Sequence, residues 1–177
     1  TGMTTTGAVD ASLVSTLTGS VSEIEAAQTN TAITLAGDYA VTISAGTETA
    51  SALTGMTTVG AVDASAVTLI TSVDTAIGTD ASVVVAALGL TGAGTTVAAT
   101  ITGSAISVAN ANLIDGATAG IVAASVSETD ATTLATVTNL NANNVTTATL
   151  NDVSVDATVL NALNAALTLT VDAAVVT

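Results

Sequence analysis

Residues 54–65 read TGMTTVGAVDAS and residues 1–12 read TGMTTTGAVDAS, so one phrase stands twice, with Val59 in the place of Thr6. A weaker third form, VDAA, occupies residues 171–174. A near-perfect internal copy within 177 residues marks a repeat array, in which like units stack and each buries its apolar face on the next. The GAVDAS core reads as a short strand reached through a glycine. Strand alternation turns Val62 and Ala64 toward a core and Asp63 and Ser65 toward solvent.

Beyond the second copy a shorter beat sets in. Apolar strand heads begin at Val97, Ile121, Val145 and Leu169, at equal spacing. They are rich in Val, Ile and Thr, which suits a pleated strand. The stretches between them have helical texture. Ser127-Glu128-Thr129-Asp130 leads into Ala131, Leu134, Val137 and Leu140, and Asp152 and Ser154 lead into Val155, Val159, Leu160, Leu163 and Leu167. Earlier, Ser20-Val21-Ser22-Glu23 has the form of a capping box, and Thr79 or Asp80 can cap a helix over Ser82–Leu88 stopped by Gly89. Gly78, Gly89, Gly120 and Asn143-Asn144 suit left-handed stops.

The expected fold is a repeat solenoid with a parallel β-sheet. Strand–helix coils of about 24 residues, of leucine-rich-repeat-like length but without that family's signature, are preferred; an all-β solenoid is the alternative. Parallel strands are expected at Gly60–Ser65, Ala98–Thr102, Ile121–Val126, Val145–Leu150 and Leu169–Ala173 in one sheet, with Ala131, Leu134, Val137, Leu160 and Leu163 buried. Because the sequence opens inside a repeat phrase, residues 1–177 read as a single solenoid segment excised from a longer tandem-repeat chain.

Composition narrows the function. There is no Lys, Arg, His, Cys or Pro, the net charge is −14, and the mean hydropathy of +0.75 is too high for a disordered acidic chain. The missing bases argue against nucleic acid and anionic membrane surfaces as partners. No apolar run is long enough for a membrane span. The acids must be solvated, placed on helix N-termini or neutralised by cations from outside. Trypsin has no site anywhere in the chain.

Ala61–Ser72 (AVDASAVTLITS), Leu13–Ile24 and Ile33–Ser44 (ITLAGDYAVTIS) resemble the Thr/Ala/Val-rich, base-free repeat regions of giant cell-surface proteins of marine cyanobacteria and other aquatic bacteria. That resemblance implies an extracellular, tandemly repeated, structural role in a surface layer, filament or adhesin stalk, and carries over no catalytic residue.

The residue types agree with a non-enzyme. Without His, Cys and Lys there is no Ser-His-Asp or Cys-His arrangement, no Schiff base and no zinc site of the usual kind. The GLTGAG of Gly89–Gly94 lacks the lysine of a phosphate loop and reads as a turn. Paired carboxylates (Glu23/Glu25, Glu128/Asp130) sit where helix starts favour negative charge. The chemical possibility that remains is calcium, a hard ion taking oxygen ligands. Its candidates are Asp10, Asp63 and Asp172 at one repeat position, and the turn acids Asp38, Asp74, Asp80 and Asp115. A calcium-dependent binding module is thus the first alternative to a self-associating structural protein. An ice-binding solenoid presenting Thr-x-Thr pairs is the second, although those pairs do not recur at one fixed repeat position in the sequence. The expected partners are copies of the chain itself, head to tail or side by side, with divalent cations offsetting the charge.

Overall fold

The computed structural model describes residues 7–44, 46–56, 60–74, 81–92, 96–138, 145–152 and 154–166. The N-terminal part carries more strands than helices: β1 (Val9–Ala11), β2 (Thr16–Gly19), α1 (Val21–Thr29), β3 (Ile33–Leu35), β4 (Ala40–Ile43), β5 (Thr47–Thr49) and α2 (Ala50–Gly55). From β6 (Val62–Asp63) and β7 (Leu69–Asp74) onward the order settles into α3 (Ala81–Leu90), β8 (Ala98–Gly103), α4 (Val108–Asp115), β9 (Val122–Ser125), α5 (Ala131–Leu134), β10 (Val145–Thr147) and α6 (Ala157–Ala166). The fold is α/β, with helices between the strands rather than the further strands of an all-β chain.

Every pairing between the described strands is parallel. Val9 lies opposite Ile33 and Leu17 opposite Val41, one full beat of the sequence pattern in both cases. Val41 opposite Val62, Glu48 opposite Ile70, Ala99 opposite Val122 and Ala123 opposite Val145 each fall slightly short of that beat. Ile70 opposite Ala99 is the long step. Within each sheet the strands follow chain order: β1-β3, β2-β4-β6 and β5-β7-β8-β9-β10. Parallel neighbours need a crossover of about a dozen residues or more, and the intervening helices supply it from β7 onward.

The helices form because their ends are satisfied and one face is apolar. Ser20 and Glu23 close the capping box on α1, each side chain serving the other's backbone N–H. Thr49, Ser107 and Asp130 cap α2, α4 and α5 through the N–H three residues on. Helices of 4 to 10 residues are too short to persist alone, so packing holds them. Ala50 and Leu53, then Ala81, Val84, Ala87 and Leu88, then Val108, Ala111 and Ile114 line the buried faces of α2, α3 and α4. Consecutive helices touch, α2 on α3, α3 on α4, and α5 on α6. Opposite them, Ile70, Ala99 and Val122 form one inward row across three strands. The one tyrosine, Tyr39, is buried with its hydroxyl accepting a hydrogen bond from Gln28 Nε2 at 2.8 Å.

Several expectations need correcting. The strands do not share one sheet. β6, from the repeated phrase, joins β2 and β4, and it is β7 that stands beside β8. The strand at 60–65 is cut to Val62–Asp63, because the Asp63 carboxylate accepts from Ser65 N–H at 3.0 Å and bends the chain into an Asx turn. Gly89 does not stop α3, whose bonding carries on to Thr91 N–H donating to the Leu88 carbonyl. The left-handed glycines are Gly92 (φ 103°) and Gly103 (φ 90°). Leu160 is half-buried, whereas Ala131, Leu134, Val137 and Leu163 are buried as expected. The strand expected at Leu169–Ala173, and Gly78, Leu140 and Asn143-Asn144, lie outside the described residues.

Leu134 is 1% exposed and Leu113 is 52% exposed, although both sit on short helices. Leu134→Ala should lower unfolding stability by about 2–5 kcal/mol and Leu113→Ala by well under that, as read from urea midpoints. Equal effects would refute this placement of the core.

Candidate functional site

The chain has no base, so its carboxylates must find donors on the backbone. A helix start offers them, because its first N–H groups have no partner within the helix. The division of labour repeats along the molecule. At α1, Ser20 takes the Glu23 N–H, and the N–H of Val21 donates to Glu48 Oε1, 27 residues on, at 3.1 Å. At α4, Ser107 takes the Asn110 N–H, and the N–H of Val108 donates to Glu128 Oε2, 20 residues on, at 2.9 Å. At α5, Asp130 takes the Thr133 N–H, and the N–H of Ala131 donates to Asp152 Oδ2, 21 residues on, at 2.6 Å. The helix's own cap thus serves its third N–H, and a carboxylate of the following strand–helix unit serves its first. Each acid also meets the positive end of the helix dipole.

The far end of α4 is tied as well. Asn112 Nδ2 donates to the Thr136 carbonyl at 2.9 Å, while its Oδ1 accepts from Thr138 N–H at 2.7 Å and from Thr138 Oγ1 at 3.0 Å. Thr138 Oγ1 also lies 3.2 Å from Asp115 Oδ2. Asp115, 2% exposed, is thereby part of the same clasp.

Two glycines mark where one unit's backbone lies against the previous one. A Cβ on Gly60 would overlap the Tyr39 carbonyl oxygen, and one on Gly120 would overlap the Val97 carbonyl oxygen. Both glycines are there for close approach and not for a left-handed turn.

The calcium candidates are scattered. Asp10 and Asp63 stand on equivalent strands, exposed, each folded into the same Asx turn with Ser12 and Ser65 at 3.0 Å. Asp38 is exposed in the turn before β4, and Asp74 closes β7. Asp115 is buried in the α4 clasp, and Asp80 and Asp172 lie outside the described residues. Among the described residues no three acidic side chains gather where an ion could be held.

Glu48, Glu128, Asp152, Asn112 and Gly60 are therefore the residues that do the joining. Glu128 and Asp152 have a visible signal in the sequence, an acid just ahead of a helix, but it points to their own helix rather than the preceding one. Compared with protein-family models, with curated proteins and with solved structures, the chain matches none. No helix among the described residues is long and apolar enough to cross a membrane.

Hydrogen bonds hold five carboxyls below their ordinary values of 3.8 for Asp and 4.5 for Glu. The donors are the Ser12 hydroxyl and N–H for Asp10 and those of Ser65 for Asp63. Backbone N–H groups come first, and hydroxyls second, for Glu23 (Ser20), Asp130 (Thr133) and Asp156 (Thr158). A carboxyl depressed in the folded state stabilises it above the unfolded value and loses that contribution as pH falls through the folded one. Relief of repulsion among 14 acids acts in the opposite sense. The caps are local and short, so melting temperature should fall on acidification below about pH 4, and Asp130→Asn should flatten the fall. A melting temperature that rises steadily as the solution is acidified through that range would show that repulsion dominates.

Proposed function

We propose that the chain is a structural repeat protein, a stack of strand–helix coils of about 24 residues that forms a solenoid and works outside the cell in a surface layer, filament or stalk. The observation that carries this reading is the unbroken chain order of the parallel strands, with acids of one unit bonded to the helix of the unit before. The chemistry that recurs along the chain is spent on joining units. The resemblance of Ile33–Ser44 and its companions to base-free bacterial surface repeats supports the extracellular setting, as does the lack of any trypsin site. Copies continue one another end to end, and salt or divalent cations screen the −14 charge that opposes them.

The ice-binding reading has one observation behind it. Register places Thr49, Thr71 and Thr100 side by side on adjacent strands, a fixed rank that the linear sequence hides. The Thr71 and Thr102 hydroxyls, however, lean on the carbonyls of Glu48 and Ser72 at 3.4 Å, an ordinary use of threonine on a sheet. The calcium reading rests on the acids alone and gives the cations a screening part.

Light scattering across a salt and calcium series tests the proposal. Association should be weak at low ionic strength and grow as salt is raised, giving elongated particles. A compact monomer at every salt and protein concentration would overturn it.

A further inference from the structure

The repeated phrase folds the same way twice but is covered only once. In the second copy, Ser65 N–H bonds the Asp63 carboxylate and Val67 N–H bonds the Ala64 carbonyl, both at 3.0 Å. In the first copy Ser12 bonds Asp10 and Val14 bonds Ala11, again both at 3.0 Å. The surroundings differ. The chain at Tyr39–Ala40 lies on Gly60, β4 pairs with β6, and Ala64 and Val67 are buried. The equivalent Ala11 and Val14 are only half-buried, Leu13 between them is 97% exposed, and a Cβ on Gly7 would meet nothing within 4 Å. Gly7 does not have the left-handed φ that would require glycine. Its equivalent, Gly60, is a glycine because another unit's carbonyl sits against it.

We infer that Gly7–Val14 is a docking notch for a parallel strand of a second copy of this chain, with Gly7 admitting that strand's backbone as Gly60 admits Tyr39. The internal copy identifies the occupant, since the surface that fits this phrase is a strand of the chain's own kind. At the other end of the longest sheet, β10 pairs among the described residues only with β9, which leaves an edge to offer. Unpaired parallel edges readily take a further strand. This rests on the end-to-end reading above and names the surface and the glycine through which it works.

The test is sedimentation velocity over a concentration series in high salt, on the whole chain and on Gly7→Ala, with Gly7→Val as the bulkier second variant and Gly60→Ala as the control. Gly7→Ala should leave the melting temperature and circular dichroism of the monomer unchanged, yet raise the concentration at which larger species form by about tenfold or more. Gly60→Ala should instead lower the melting temperature. If the chain associates and both Gly7 variants associate equally well, the notch is wrong while end-to-end association stands. If nothing associates at any salt, both fall.

Discussion

The joint that the rest depends on is a carboxylate of one unit closing the first N–H of the helix in the unit before it. In a chain with 14 acids and no base, side-chain ion pairs are ruled out. The helix starts are the positive sites the molecule has, and Glu48, Glu128 and Asp152 use them across the unit boundary. One interaction thus answers two demands: it satisfies a donor that the helix cannot satisfy, and it gives a half-buried acid a partner. Because donor and acceptor are 20 to 27 residues apart, the same bond fixes how one unit lies on the next.

The apolar side of the joint is equally local. Small residues at the helix starts, Ala50, Ala81 and Ala131, let each helix lie close to the sheet, and the inward row Ile70–Ala99–Val122 sets a small residue between two branched ones. Gly60 and Gly120 let backbones touch. With contacts of this kind, stability is a sum over neighbouring units, and length can be added without a new core. That property fits a structural part better than a catalytic one, for which a chain so poor in nucleophiles and bases has little material.

Much of this is legible in the sequence. The copied phrase and the even beat of the strand heads announce parallel strands, and the register of most strand pairs stays close to that beat. The capping box at Ser20 and the cap at Asp130 stand where their residue types place them. β7 is hidden because Thr and Val are everywhere, so strand composition carries little contrast here. Sheet membership is hidden because β5 adds a strand to one unit and shifts which neighbours meet, a matter of register that composition does not encode. Glu48 is invisible for a related reason: its partner lies 27 residues back, and only folding brings the two together. Gly120 reads as a turn residue when its role is close approach, since glycine gives the same letter for both.

The central claim, that acids of one unit hold the helix starts of the previous one, is tested most directly by amide hydrogen exchange at Val108 and Ala131. First-turn amides normally exchange quickly, having no helical partner. The account predicts that both are protected, and that Glu128→Ala lowers protection at Val108 by about tenfold or more while leaving Ala131 protected. Rapid exchange at Val108 in the unaltered chain, or the same rate with and without the Glu128 carboxylate, would contradict it.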